Sequence, residues 1–365
     1  MRGRGGTPGS ASRRDNRGNM MLLTVLASIF VFGMLVLFHE LGHFFMAKAM
    51  GMRVDEFAIG FGPRLCSYTY GETVYSLRAV PLGGFTDIAG MDPEENDAGE
   101  RGYCAKPAWK RMMAIVAGPL MNFILPVVIF FGLFIAVGVS TPSDRPELGD
   151  ILPDKPAAAA GLKKGDVIER MNGKATEKWE DIVNIILQEG EQPIKVEFRR
   201  DGAEKTTTLI PVYDKSAERP LVGITSSSDF RQPGFFEAIG LAFYKTGYII
   251  YKMLEGLWGM LTGSAKAELA GPLGVAQMAG EVAQIGFAAL LNFAALLSLN
   301  LGILNLLPVP ALDGGHLLHL AIEKLRGKPL GTKALYYTQM AGITLLAMLM
   351  LFATKNDIVR IFFGN

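Results

Sequence analysis

The sequence contains little cysteine and little charge. Only two of its 365 residues are cysteines, Cys66 and Cys104, and charged residues make up 19% of the chain, with a formal net charge of +1. Two cysteines outside a C-x-x-C spacing exclude a disulfide framework and are poor zinc ligands, so both are expected to be free thiols on a reducing side. The nearly balanced charge gives no reason to expect nucleic acid as a partner.

Apolar residues, by contrast, are abundant. Half of the residues are hydrophobic, which is typical of a membrane protein. Several apolar runs are long enough to cross most or all of a hydrocarbon core about 30 Å thick. They predict four transmembrane helices, at Met20 to about Met50, Met112 to about Val139, about Phe287 to Leu307, and about Leu335 to Phe352.

Two further segments are expected to behave differently. Residues 1–19 are rich in Gly, Arg and Ser and predict a disordered tail. Phe235 to Leu261 is apolar and aromatic, but Lys245, Lys252 and Glu255 interrupt it. This pattern favours an amphipathic helix on the membrane surface over a further span.

His39-Glu40-Leu41-Gly42-His43 closes the first apolar run. On a helix, His39 and His43 lie one turn apart on the same side, so two imidazole nitrogens can reach one metal ion. This H-E-x-x-H arrangement is typical of zinc sites in which the glutamate takes a proton from the metal-bound water. The alternative is a chance pattern in which the histidines cap a buried helix. Because ionisable groups at membrane depth are costly to keep without a use, the position favours the metal site.

Two alternating runs after the motif, Leu65 to Tyr70 and Thr73 to Val80, predict a β-hairpin around a Gly71-Glu72 turn. Pro81-Leu82-Gly83-Gly84 stops the second run. An open edge near Val74 to Val80 is therefore expected near the metal, where it could hold an extended substrate by strand addition. The alternative is a hairpin that only dips into the membrane or covers its surface.

Amides in the apolar runs are expected to serve packing. Asn122 follows a Gly118-Pro119 pair in the second run, and Asn292, Asn300 and Asn305 lie in the third. Amides in membrane helices usually form hydrogen bonds with neighbouring helices, so most of them need no catalytic role.

A third metal ligand is expected after the third span. In the stretch Asn305-Leu306-Leu307-Pro308-Val309-Pro310-Ala311-Leu312-Asp313-Gly314-Gly315-His316, the prolines and glycines prevent a continuous helix, so this backbone must line protein or water. A catalytic zinc usually takes three protein ligands and leaves a fourth position for water. Asp313 is one candidate for the third ligand, and His316, alone or with His319, is the other.

From Ser143 the composition is that of a soluble domain. Ala159-Ala160-Gly161-Leu162, Gly165-Asp166-Val167-Ile168 and Asn172-Gly173 are followed by a helical pattern at Thr176 to Leu187 and a strand pair around Arg200-Asp201-Gly202. This order resembles a PDZ domain. PDZ domains bind extended peptides between a strand and a helix, here expected near Leu148 to Leu152 and Ile182 to Ile186. The alternative is a domain that only excludes bulky partners.

These motifs together resemble the site-2 protease family of intramembrane zinc proteases, and most closely its bacterial regulator-of-sigma-E protease type. The resemblance covers residues 20–355 and departs from the best-known members in having room for one PDZ domain rather than two. It implies that His39, His43 and Asp313 bind zinc, that Glu40 is the catalytic acid/base, and that Asn305 helps to stabilise the oxyanion. It also implies single-span membrane proteins as substrates, such as an anti-sigma factor or a remnant signal peptide.

The expected fold is an α-helical integral membrane protein with about four transmembrane helices, a membrane-associated β-hairpin and one inserted α+β PDZ domain. The expected boundaries are a tail at 1–19, the first two spans with the hairpin at 20–142, the PDZ domain at 143–214, a linker with the surface helix at 215–284, and the last two spans at 285–365.

Orientation follows from the number of spans and from basic residues. Four spans put both termini and the PDZ domain on one side and the first and third loops on the other. The arginines of the tail argue for the opposite orientation, and the resemblance decides that the metal site faces the cytoplasm and the PDZ domain lies outside. The basic residues that favour a cytoplasmic position for the first and third loops are Lys48, Arg53, Lys110, Arg111, Lys324, Arg326 and Lys328.

Two other functions compete with proteolysis. A catalytically inactive membrane scaffold would keep the PDZ domain but should lose Glu40 or a metal ligand, and none is missing. A metal transporter could use histidines in the membrane, but it would not explain the PDZ domain, and the other spans carry too few polar groups for a path.

Overall fold

A computed structural model describes residues 9–91, 99–214, 219–264, 271–328 and 330–363. The chain forms two compact units, one of residues 1–133 with 236–365 and one of residues 134–235. The helices are α1 (Gly9–Ala49), α2 (Ala108–Val137), α3 (Pro156–Ala159), α4 (Trp179–Glu189), α5 (Phe235–Leu261), α6 (Pro272–Ile285), α7 (Phe287–Leu306), α8 (Asp313–Arg326) and α9 (Thr332–Phe363). The strands are β1 (Val54–Tyr70), β2 (Thr73–Ile88), β3 (Val139–Pro142), β4 (Leu148–Ile151), β5 (Val167–Met171), β6 (Lys174–Ala175), β7 (Ile194–Arg200), β8 (Ala203–Leu209), β9 (Val212–Asp214), β10 (Arg219–Leu221), β11 (Ile224–Ser226) and β12 (Ser228–Arg231).

Four helices of the described residues are long and apolar enough to cross a membrane: α1 from Met20, α2, α7, and α9 over Lys333–Arg360. The predicted spans are therefore present. Helix α5 is not among these four. This agrees with the prediction that the charged residues interrupting it disfavour a further span. Together with the strand-rich unit at 134–235, this confirms the predicted fold class.

The helix α1 begins earlier than the sequence predicted. It starts at Gly9, so residues 9–19 are helical rather than a disordered tail, and residues 1–8 lie outside the described residues. Starting a helix is costly, whereas each added residue extends an existing helix at little cost. The membrane helix supplies the nucleus, and the polar residues before it extend that helix.

Strands β1 and β2 form more than a hairpin. The predicted turn is present, because Tyr70 pairs with Thr73 across it. The inner part of β1, residues 56–59, is paired on two sides. Ile59, for example, lies opposite both Leu77 and Gly84. The chain can fold over in this way because glycines at the bends adopt positive φ, for example 90° at Gly60.

This pairing corrects the predicted open edge. Residues 74–77 lie between the inner part of β1 and residues 66–70, so they have strand neighbours on both sides. The segment at residues 84–88 pairs with the inner part of β1 and lies beside α1, where Thr86 contacts Glu40. The sequence could not predict this arrangement, because it depends on a second pairing partner for β1.

A buried carboxylate joins the strands of this sheet. Glu56 accepts hydrogen bonds from Ser76 at 2.5 Å, from Arg78 at 2.8 Å and from Arg64. Burial alone would raise the pKa of Glu56, but these donors outweigh it and lower the pKa to about 2. Glu56 therefore stays ionised at neutral pH and holds the two strands together.

The unit at residues 134–235 is an α+β domain with a four-stranded sheet in the order β6-β5-β7-β8. Helix α4 contributes Ile182, Ile185 and Ile186 to its core. The turn between β7 and β8 has Asp201 at φ 54° and Gly202 at φ 80°, as a two-residue hairpin of type I′ requires. The predicted strand pair and helix are thus present.

This domain is longer than the predicted 143–214. Strand β11 pairs with β4, with Ile224 opposite Ile151, and β12 pairs with β3, with Phe230 opposite Ser140. Part of the predicted linker therefore belongs to the domain. Short strands that return to pair with distant strands carry no local signal, because the partner decides whether they form.

Candidate metal centre

Two elements bring three metal-binding side chains together. His39 and His43 lie on one face of α1, and Asp313 is the first residue of α8. The Nε2 atoms of the two histidines are 3.2 Å apart. Asp313 Oδ2 lies 3.2 Å from His39 Nε2, and Asp313 Oδ1 lies 3.5 Å from His43 Nε2. These three residues, called the metal-binding group below, could together hold a metal ion.

The spacing of these atoms suits a zinc ion. Donor atoms about 2.1 Å from a tetrahedral zinc lie roughly 3.4 Å from one another. The two Nε2 atoms are 3.2 Å apart, and the nearest Asp313 oxygen lies 3.2 Å from His39 Nε2 (Oδ2) and 3.5 Å from His43 Nε2 (Oδ1), so each separation is close to that value. Two imidazoles and one carboxylate are also a ligand set that catalytic zinc uses, with one position left open. The residues present therefore fit the metal.

Asp313 reaches the histidines through a tight turn after α7. Ala311 adopts a left-handed conformation at φ 74°, and β-carbons at Gly314 and Gly315 would overlap the carbonyls of Leu307 and Val309. The glycines therefore allow the close backbone approach from which α8 starts.

The charge of Asp313 follows from its neighbours. Burial alone would raise the pKa of its carboxyl group, but hydrogen bonds from His39 and His43 outweigh this and hold the pKa below its usual range. Asp313 is therefore a carboxylate, the form that binds a metal ion.

Helix α2 covers the outer side of both imidazoles. His43 Nδ1 lies 2.9 Å from the carbonyl oxygen of Ala114, and His39 Nδ1 lies 3.2 Å from the side-chain amide of Asn122. A β-carbon at Gly118 would overlap the His43 ring, so glycine is needed where the helices approach. The spacing 114, 118 and 122 puts these three residues on one helical face.

Sequence reasoning assigned Asn122 to packing, and it is fully buried. Its position against His39 was missed. The four-residue spacing of Ala114, Gly118 and Asn122 was a signal for a common face. Nothing in the sequence indicated that this face meets the histidines.

Glu40 lies between the two histidines in sequence and outside the metal-binding group. Its Oε2 accepts a hydrogen bond of 2.9 Å from Thr86 Oγ1, whose hydroxyl also lies 3.1 Å from the Glu40 carbonyl. Thr86, on the segment at residues 84–88, therefore orients the carboxylate. Sequence reasoning missed Thr86, because its contact depends on how the sheet folds over.

The remaining predicted residues lie outside the metal-binding group. Asn305 is half-buried in the last turn of α7, and its amide forms no hydrogen bond within the described part of the chain. His316 and His319, the rival ligands, line a cavity of about 290 Å³ together with Cys104 and Glu323. Both cysteines are free thiols, as predicted, and both are exposed.

The domain at residues 134–235 has a groove of its own. A cavity of about 290 Å³ lies between α4 and residues 219–224. The predicted helix side is correct, with Ile182 and Ile186 lining the groove. The strand side is mainly Pro220 to Ile224 rather than Leu148 to Leu152, of which Leu152 alone lines it. The returning strands that the sequence did not predict form this wall.

Known proteins resemble this chain over most of its length. The family model of peptidase family M50 matches residues 27–349. The regulator of sigma-W protease RasP of Bacillus subtilis is 35% identical, over 94% of this chain and all of that protein. A putative zinc metalloprotease of Clostridium acetobutylicum is 36% identical, over 93% of this chain and 98% of that protein. The PDZ domain of an SdrC-like protein of Listeria monocytogenes is 22% identical with a TM-score of 0.21, over 24% of this chain and 93% of that domain.

The family match and the two relatives agree with the ligand chemistry of the site. A zinc metalloprotease requires residues that can hold the metal, and His39, His43 and Asp313 are a group that could do so. The chain belongs to peptidase family M50, the site-2 proteases, and is a multi-pass membrane zinc metalloendopeptidase.

Proposed function

We propose that this protein cleaves transmembrane segments of single-span membrane proteins at a zinc ion held by His39, His43 and Asp313. The convergence of two imidazole nitrogens and the Asp313 carboxylate, with separations of 3.2 to 3.5 Å, carries this proposal. His39 and His43 lie within a membrane-spanning helix, so a substrate that reaches them must do so at membrane depth. Anti-sigma factors and remnant signal peptides are substrates of the expected kind.

The chemical roles of zinc and Glu40 are argued from the positions of the side chains, and that of Asn305 from the family resemblance. When bound, zinc supplies a Lewis acid and lowers the pKa of water at its open position. Glu40 accepts a proton from the attacking water and delivers it to the leaving amine, since it is oriented by Thr86 and takes no part in holding the metal. The resemblance to the site-2 proteases assigns Asn305 a further role, in which its amide donates to the substrate oxygen on which negative charge develops. A peptide bond in a helix is shielded by its own hydrogen bonds, so the substrate must unwind locally.

Removal of zinc tests this function. Purified protein in detergent should hold about one zinc per chain and cleave a single-span peptide. A chelator should abolish cleavage, and one equivalent of zinc should restore it, whereas magnesium should not. Cleavage that survives complete removal of zinc, shown by elemental analysis, would contradict the proposal.

We infer further that the metal centre faces the cytoplasm and that the PDZ domain lies on the outer side. Basic residues in the first and third loops support this orientation. The exposed thiols Cys66 and Cys104 lie in the loop between the first two spans and report on it. A membrane-impermeant maleimide should label them in opened cells and not in intact ones. Labelling in intact cells would reverse the orientation.

The groove beside α4 is proposed to bind an extended apolar stretch of the substrate outside the membrane. Leu187 lines it and is 44% exposed. Leu187→Asp should raise KM several-fold for a substrate with an apolar tail and leave a tailless substrate unchanged. Asn184→Asp, at an exposed position of the same helix, is the matched control. An unchanged KM for the tailed substrate would favour a domain that only excludes bulky partners.

A further inference from the structure

The two imidazoles of the metal centre have different outer partners. A histidine that binds a metal through Nε2 carries its proton on Nδ1 and donates it to an acceptor, which fixes the orientation of the ring. For His43 that acceptor is the carbonyl oxygen of Ala114, 2.9 Å from Nδ1. For His39 the nearest partner is the side chain of Asn122, whose Nδ2 lies 3.2 Å from Nδ1.

The amide orientation at Asn122 does not match a metal-binding His39. Nδ2 is a donor and would face a second donor if Nδ1 carries the proton. The other amide atom, Oδ1, is buried without a hydrogen-bond partner in the described part of the chain. Turning the amide by 180° exchanges the two atoms, gives Oδ1 the Nδ1 proton of His39 to accept, and removes the meeting of two donors.

Contacts with α7 hold both the backbone and the side chain of Asn122 in place. Its carbonyl would normally accept from the residue four positions later, but that residue is Pro126, which has no N–H. Ser298 of α7 supplies the missing donor, with Oγ 2.8 Å from the Asn122 carbonyl. Gly302 of α7 lies against the Asn122 side chain, so close packing fixes it from a second direction.

We propose that Asn122 is a positioning residue of the metal centre, whose side-chain oxygen accepts the Nδ1 proton of His39 and directs the Nε2 lone pair of that ring to zinc. The proposal rests on the ligand set proposed above. It gives the Gly118-Pro119-Leu120-Met121-Asn122 stretch two roles: glycine admits the His43 ring, and asparagine orients the His39 ring.

Zinc affinity of the full chain in detergent, measured by competition with a chromogenic chelator, tests this role. Asn122→Leu keeps the volume but removes the acceptor, and should weaken zinc binding by about 10- to 100-fold. Asn122→Asp keeps an acceptor in the same place, and its affinity should stay within about threefold of the wild type. Asn300→Leu, at an exposed position of α7, is the matched control and should be unchanged.

The order of the two variants separates positioning from packing. If Asn122 only fills space, leucine should be tolerated better than a buried aspartate, so weaker zinc binding by the aspartate than by the leucine variant would overturn the proposal. So would wild-type affinity in Asn122→Leu. If the leucine variant does not fold, Asn122→Ala provides the same comparison. A wild-type protein that binds no zinc, or a His39→Gln variant with unchanged affinity, would overturn the ligand set itself.

Discussion

Glu40→Gln is expected to keep bound zinc and to lose cleavage by about 10²- to 10⁴-fold, the usual contribution of a general acid–base group. The carboxylate is not part of the metal-binding group, so its replacement should leave the three ligands in place. A glutamine oxygen can still accept from Thr86 Oγ1, now 2.9 Å from Glu40 Oε2, so the side chain should keep its orientation. What is lost is the ability to take up and release a proton.

Two measurements on one preparation check this result: zinc per chain by elemental analysis, and initial rates with a detergent-solubilised single-span peptide. Glu281→Gln is the matched control, because Glu281 is an exposed residue of α6. Its side-chain oxygen accepts a hydrogen bond from Gln277, and a glutamine at position 281 can still accept it. Its rate should equal that of the wild type. A Glu40→Gln protein that cleaves within tenfold of the wild type would remove Glu40 from its proposed role.

Asp313→Asn is expected to lose both zinc and cleavage. The substitution keeps the size of the side chain but replaces the charged ligand with a neutral amide, a much weaker zinc ligand. The loss of affinity should exceed the about 10- to 100-fold that typically follows loss of an outer hydrogen-bond partner. The turn before α8 should persist, because it depends on Ala311, Gly314 and Gly315 rather than on the carboxylate.

His316→Gln is the informative control for Asp313→Asn. His316 was the rival third ligand, and it lines a cavity instead of joining the metal-binding group. Chelator titration of both variants should show wild-type zinc affinity for His316→Gln. The reverse pattern, with zinc retained by Asp313→Asn and lost from His316→Gln, would make His316 the third ligand.

Glu40→Gln and Asp313→Asn, together with the substitutions at Asn122, separate three kinds of contribution to zinc binding and cleavage. Loss of a ligand removes zinc, loss of the proton carrier removes turnover from a zinc-loaded protein, and loss of an outer acceptor weakens zinc without abolishing it. Measuring zinc and turnover on each variant therefore assigns each residue its own role.

Local signals in the sequence were sufficient for the spans and for two of the three proposed metal ligands. An apolar run of sufficient length forms a membrane helix wherever it occurs in the chain, because every backbone group is satisfied within the helix. The pairing of His39 with His43 is equally local, since four-residue spacing puts both on one face. The type I′ turn at Asp201-Gly202 also follows from its own residues.

Contacts between distant segments required the tertiary structure. The contact of Asp313 with the two histidines, that of Thr86 with Glu40 and that of Asn122 with His39 each join elements far apart in the chain. The pairing of residues 84–88 with β1 and the returning strands at residues 224–231 likewise depend on their pairing partners. By itself the sequence determined which helices are long and apolar enough to span a membrane and that the first of them carries the two histidines. Packing decided which side chains meet, because a side-chain contact depends on both surfaces and each local pattern describes only one.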